Sequence, residues 1–169
     1  MESRIASRVS PVYSKLQLQK LLFLASAVDA TVDNHGMLVV FDRFYALPYG
    51  LVDIYIYEAM NTGSFRCITV NDRKCTYKHP ESQYYFNSLS VSNKYVVDCA
   101  IEALKKLGID YFQMSAFDLV DITHQWSPWK EAFAIAKLFG SKQEKMSADS
   151  IYGSEIKSFK KITWKNHLC

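Results

Sequence analysis

Four histidines, four cysteines and 17 carboxylates are this chain's means of holding a metal, passing a proton or attacking an electrophile. Their spacing favours none of these. His35 precedes Gly36, His79 precedes Pro80, His124 follows Thr123, and His167 lies near the last residue. No two of them share an i, i+4 face with each other or with a Glu, as an H-E-x-x-H zinc helix requires. Cys67, Cys75, Cys99 and Cys169 form no C-x-x-C pair and have no nearby His set, so structural zinc is not expected. Without a secretory leader they read as reduced thiols, with Cys99 packed in a helix and Cys169 loose at the terminus. The phosphate cradles G-x-x-x-x-G-K-[ST] and G-x-G-x-x-G are missing, and so is the G-x-S-x-G turn that exposes a catalytic serine. No catalytic residue, metal or cofactor is therefore expected from the motifs, which weighs against an enzyme. A constellation assembled from distant positions would escape such a search.

Aromatic weight stands out instead, with 11 Tyr, 10 Phe and 3 Trp. Clusters fall at Phe44-Tyr45, Tyr49, Tyr55 to Tyr57, Tyr84-Tyr85-Phe86, Tyr111-Phe112 and Trp126/Trp129. Such rings pack cores, but Tyr and Trp also dominate the hot spots of protein interfaces. The far end is basic: Lys142, Lys145, Lys157, Lys160, Lys161 and Lys165 face only Glu144, Asp149 and Glu155. A solvated helix face explains this as well as nucleic acid does, and the net charge of +3 demands no polyanion.

These residues need elements to position them. Apolar residues at 18, 21, 22, 25 and 28 form one helical face, widened by Phe23, Leu24 and Ala27, and so predict a buried helix from Leu16 to Val28. Lys15, Gln17, Gln19 and Lys20 make its solvent-compatible side, with Lys20 exposed on the wheel, and Ser10-Pro11 supply a start. Leu38 to Ala46 reads as a short strand or extended segment, punctuated by Pro48 and Gly50. Leu51 to Met60 reads as a helix stopped by Gly63. FRCITV and RKCTYK about Asn71-Asp72 predict a β-hairpin within residues 64–78. Ser92 or Asn93 caps a helix with a stripe at 96, 97, 100, 104 and 107, ending before Gly108. Ser115 with Asp118 resembles a capping box, and Ser127-Pro128 opens a helix over Trp129, Ala132, Phe133 and Ala136. Ser147 starts a basic C-terminal helix over residues 146–165, weakened at Gly153 by about 1 kcal/mol.

With 49% hydrophobic and 22% charged residues, a chain of this length builds a core without staples. No apolar run approaches the roughly 18 residues of a membrane span, and the start has no apolar signal core, so a cytoplasmic protein is expected. No repeat or linker divides the chain. One domain over residues 1–169, with an N-terminal extension over 1–15, is the economical architecture. Its expected class is α+β, mostly α: a compact helical domain with a small β-hairpin.

Three collinear segments carry a resemblance. Leu18-Gln19-Lys20-Leu21-Leu22-Phe23-Leu24-Ala25 resembles an L-Q-K-L-L-Y-L-A helix motif; Phe44 to Val52 (FYALPYGLV) resembles F-x-A-W-x-Y-G-P-V; Thr123-His124 with Pro128-Trp129 resembles T-H-x-x-x-P-W. Together they are similar to the Panacea, or SocA-like, antitoxin domain, also met in phage-associated proteins. Leu47 stands where that pattern carries Trp, and Leu51 where it carries Pro.

The resemblance implies a bacterial or phage-borne antitoxin of a toxin–antitoxin system, not an enzyme, acting in phage defence, that neutralises a toxin encoded by an adjacent gene through a direct complex. Toxins paired with the family include small alarmone synthetase-like enzymes. One member resembles a proteolytic adaptor that delivers its toxin to a AAA+ protease. Delivery to such a protease, DNA binding and an unrecognised enzyme site are the alternatives, although only about 15 residues precede Leu16, too few for a helix-turn-helix module. The toxin-binding residues are expected to be Tyr45, Leu47, Tyr49, Leu51 and Tyr55. Against this, Tyr49-Gly50 can simply shape the turn into the next element. Leu18, Gln19, Lys20, Gly50, Thr123, His124, Pro128 and Trp129 are read as structural motif positions, Lys20 among them as a solvated side chain.

Overall fold

In the computed structural model, which describes residues 12–28, 30–71, 74–78 and 81–153, the organising element is a helix that begins where two polar side chains satisfy each other. The Ser14 hydroxyl accepts from the Gln17 amide at 3.1 Å, and the Gln17 side chain accepts from the Ser14 amide at 2.9 Å. This reciprocal cap opens α1 (Lys15–Ala27). Ser10-Pro11, the start expected from the sequence, lies outside the described residues. Leu21, Phe23, Leu24, Ala25 and Ala27 are buried, so α1 is enclosed by the rest of the fold, as its nearly all-round apolar surface requires.

A 3-10 turn (Gly36–Val39) tucks Met37 and Leu38 inward. Strands β1 (Phe44–Leu47) and β2 (Gly50–Asp53) then form an antiparallel hairpin, with Leu47 opposite Gly50 and Phe44 opposite Asp53. The helix expected from Leu51 therefore starts later, as α2 (Ile54–Thr62). Two local features account for the correction. Gly50 at φ +86° turns the chain back after Pro48-Tyr49, a conformation that glycine adopts without a Cβ penalty. Asp53 is the cap, its carboxylate accepting from the Ile56 amide at 3.0 Å.

The hairpin expected within residues 64–78 is present as β3 (Ile68–Val70) and β4 (Cys75–Tyr77), a separate two-stranded sheet. It is tied to the start of the chain by the Cys75 amide, which donates to the Tyr13 carbonyl at 2.7 Å. Helix α3 (Glu81–Ser88) carries exposed Tyr84, Tyr85 and Phe86. Helix α4 (Val91–Leu107) is capped by Ser90 rather than by Ser92 or Asn93. The short α5 (Ile109–Gln113) follows. Ser115 and Asp118 form the expected capping box of α6 (Ala116–His124). Helix α7 (Ser127–Leu138) has Pro128 in its first turn but opens from Trp126, so Ser127 is its first residue rather than its cap. Strand β5 (Glu144–Lys145) joins β1, giving the sheet order β2-β1-β5. Ser147 accepts from the Ser150 amide at 3.0 Å and starts α8 (Ala148–Gly153). The remainder of the expected basic helix, with Lys157, Lys160, Lys161 and Lys165, lies outside the described residues, as do His79, His167 and Cys169.

The class is α+β, mostly α, as the sequence predicts. Its core centres on Phe23, which meets Phe44 edge-on at 4.9 Å and Trp126 at 4.7 Å between centroids. Although β2 is an edge strand, α1, α2 and α6 all pack against it, so its backbone is covered. No helix among the described residues is long and apolar enough to cross a membrane.

Candidate functional site

The second turn of α1 turns a lysine into the protein. Lys20 is 0% exposed, which corrects its placement on the solvent face of the helix. Its Nζ donates to the Leu51 carbonyl at 2.6 Å. A Cβ built on Gly50 would stand 2.8 Å from Lys20 Cε, 3.0 Å from its Nζ and 3.0 Å from Thr123 Oγ1. Only a glycine lets the hairpin backbone come this close. Thr123 is itself buried and fixed, its hydroxyl donating to the Val120 carbonyl at 2.9 Å. Gln19 works beside Lys20: its Oε1 accepts from the Asp53 amide at 2.9 Å, and its amide nitrogen reaches Met60 Sδ at 3.8 Å. Two adjacent polar residues of α1 thus hold both ends of β2.

The third segment closes the other side. His124 stacks on Trp129 at 3.9 Å, and Trp129 stacks on Phe133 at 4.8 Å. Trp129 Nε1 donates to the Leu47 carbonyl at 3.2 Å. The hairpin tip is therefore gripped at both flanks, at Leu47 by Trp129 and at Leu51 by Lys20. His124 Nε2 and Trp126 Nε1 are buried with no hydrogen-bond partner among the described residues.

Electrostatics follow from this enclosure. No carboxylate among the described residues comes within ion-pair distance of Lys20. Burial without a counter-charge pushes its pKa down to about 7. Burial also lowers the pKa of His124, helped by the Lys20 charge and opposed by Asp121. For Asp53, burial raises the carboxyl pKa, while the Ile56 amide it caps pulls the other way. A lysine deprotonated near neutral pH has the electronic character of a base or nucleophile. In this conformation the Gly50 backbone, the Leu51 carbonyl and Thr123 seal it, so it acts as a clamp between α1 and the hairpin.

The expected partner-facing residues are not one patch. Tyr49 is 68% exposed at the hairpin tip, and Tyr45 and Leu47 are half-buried. Tyr55 is 52% exposed under the Arg43 guanidinium, 4.0 Å from its ring centre. It lies past the other end of β2 from Tyr49, in the first turn of α2, with the four residues of that strand, about 13 Å long at a strand's rise, between them. Leu51 is 0% exposed and belongs to the core, so it offers nothing to a partner. Its side chain takes the inward position beside α1 while its carbonyl holds Lys20. Leu18 is half-buried on α1, and Pro128 is buried with Trp129. Among the described residues no three His, Cys, Asp or Glu gather where they could hold a metal ion, and Cys75 and Cys99 are free thiols. The residues that sequence reasoning misjudged are Gln19 and Lys20. Their signal was a pair of polar residues inside a run that is otherwise apolar nearly all round.

Lys20, Gly50 and Thr123 each come from a different one of the three motif segments. A family model described as antitoxin SocA-like, Panacea domain, matches residues 18–130, and those bounds enclose all three. The chain belongs to the SocA-like Panacea-domain family. No curated protein and no solved structure matches it. Within the Panacea match lie the clamp and its hairpin; most of α7, β5 and α8 lie beyond it.

Proposed function

We propose that this protein is an antitoxin that neutralises a toxin by binding it directly, with Tyr49 as the anchor. The observation that carries the reading is an aromatic side chain, 68% exposed, on a hairpin tip whose two flanks are fixed by buried donors from α1 and α7. A rigidly presented Tyr loses little entropy on binding, because its backbone is already ordered. Membership of an antitoxin-like family supplies the partner class. On this reading the clamp residues Lys20, Gly50, Thr123 and Trp129 hold the tip in shape and do not touch the toxin. Tyr45 and Leu47 flank the anchor, while Tyr55 with Arg43 forms a separate contact.

The test is co-expression with the product of the adjacent gene. Toxicity of the neighbour alone, restored growth with the pair and co-purification are the expected results. Tyr49→Ala should then weaken the complex by about tenfold or more with folding unchanged. A harmless neighbour that does not co-purify would defeat the antitoxin reading. A complex of unchanged affinity would remove Tyr49 from the interface. Toxin that disappears only when a AAA+ protease is present would favour delivery for degradation over steric inhibition.

A further inference from the structure

The outer face of α7 ends in an exposed apolar triad. Ile135, Leu138 and Phe139 recur at i, i+3 and i+4, one side of a helix. Leu138 and Phe139 are each 82% exposed. They are not a core face seated the wrong way round, because Trp129, Ala132 and Ala136 of the same helix are buried against the body. Leaving two large apolar side chains side by side in water is unfavourable, and covering them is a driving force for association.

The surroundings specify what covers them. Lys137, Lys142 and Lys145 are exposed about this end of the helix and the loop into β5, against exposed Glu131 one turn before Ile135 and half-buried Glu144. None of these three lysines forms an ion pair among the described residues; the Lys137 ammonium lies instead over the Phe133 ring at 4.7 Å. An apolar centre with a rim of unpaired cations matches a protein segment with carboxylates around apolar anchors. Beside it β5 is the outer strand of its sheet among the described residues, with β1 on one side only.

We infer that the Ile135–Leu138–Phe139 face docks an acidic protein segment with apolar anchors. The same charges disfavour the other occupants. A second copy using this face would set lysines against lysines. The chain's own last residues carry Lys157, Lys160, Lys161 and Lys165 against Glu155, and so repel the same rim. Nucleic-acid bases stack on rings, whereas two of these three side chains are aliphatic. Three apolar side chains are also too few to anchor a protein on a membrane. The surface lies beyond residue 130, outside the family match, and does not depend on the toxin reading or on Tyr49.

The test is selection of a random peptide library against the full chain, followed by affinity measurement on wild type and variants. Enriched peptides should carry Asp or Glu around Leu, Phe or Trp. Their binding should fall by about tenfold or more in Leu138→Gln/Phe139→Gln. In Lys137→Gln/Lys142→Gln it should fall by about threefold, with a weaker dependence on salt. Tyr49→Ala should leave it unchanged. All substituted side chains are exposed, so thermal unfolding should match wild type. Peptides without acidic bias, peptides indifferent to Leu138→Gln/Phe139→Gln, or no enrichment at all would overturn the proposal. So would self-association, adsorption to phosphatidylserine vesicles or binding to duplex DNA that the same double variant abolishes, each assigning the face to that occupant.

Discussion

Replacing Lys20 by Met tests the clamp through its proton. The fall of the Lys20 pKa from its ordinary 10.5 to about 7 corresponds to about 5 kcal/mol of preference for the neutral amine in the folded chain. Between these two values the unfolded chain keeps the proton and the folded chain has released it. Raising the pH through this window therefore favours folding, and lowering it toward 7 removes the gain. From pH 7 to pH 9 the Lys20 contribution amounts to about 2 kcal/mol. Lys20→Met takes away the titrating group. It also takes the donor from the Leu51 carbonyl, a cost of about 1–3 kcal/mol that does not vary with pH. The quantity to follow is thus the difference between the two stability curves, from which other titrations, such as that of the buried Cys75 thiol, drop out. Urea unfolding suits the assay because urea is uncharged, and Trp126 and Trp129 are buried reporters. Wild-type stability minus variant stability should rise by about 2 kcal/mol from pH 7 to pH 9. Parallel curves would mean that Lys20 keeps an ordinary pKa, through solvent or a carboxylate partner, and the clamp as described would be wrong.

Three further perturbations address the surrounding geometry. Gly50→Ala forces a Cβ against Lys20 and Thr123 at a φ of +86°; a loss of about 2–4 kcal/mol in urea unfolding is expected, and a loss below about 1 kcal/mol would show that the hairpin is free to move away. Because burial lowers the His124 pKa, the unfolded chain takes up that proton first, so wild-type stability should fall as the pH drops below about 6.5. His124→Phe keeps a ring on Trp129 and should flatten this acid limb, which melting temperatures between pH 5 and pH 7 would reveal. Asp53→Ala removes the α2 cap and should cost about 1 kcal/mol, whereas Asp53→Asn keeps the cap without a buried charge and should match or exceed wild type at pH 7; equal losses in both would mean that the carboxylate does more than cap.

Long periodic stretches were legible because burial and periodicity say the same thing there. The stripe of α4, the capping box of α6 and the apolar run of α1 all specify helices, whatever packs on them. Boundaries were less legible where two signals coincide. Leu51-Val52-Asp53 continues into the pattern of α2, and only the glycine turn at one end and the Asp53 cap at the other separate strand from helix. Strand β5 is two residues long, and its pairing with β1 is set by where α7 returns the chain, a fact no local pattern carries. Helix α3 was missed because Tyr84, Tyr85 and Phe86 are consecutive and exposed, so no apolar stripe marks them.

The clamp was legible as a set of motifs but not as a site, and the reason is physical. A helical wheel sorts side chains by polarity and assumes that polar ones face water. Lys20 violates that assumption because its amine finds one carbonyl, its long stem packs beside a glycine, and its proton is given up near neutral pH. None of these three compensations is local in sequence: the carbonyl and the glycine are some 30 residues away, and Thr123 comes from a different helix again. What the sequence did hold was the concurrence of three short segments, one with a lysine, one with a glycine after a tyrosine, one with a Thr-His pair and a tryptophan. Their meeting explains why such different residue types travel together. The lysine needs the glycine in order to reach the carbonyl, the threonine fills the space the glycine leaves, and the tryptophan holds the opposite strand in register. Loss of any one should loosen the same hairpin tip, so Tyr49 presentation and Lys20 titration are two readouts of a single structure.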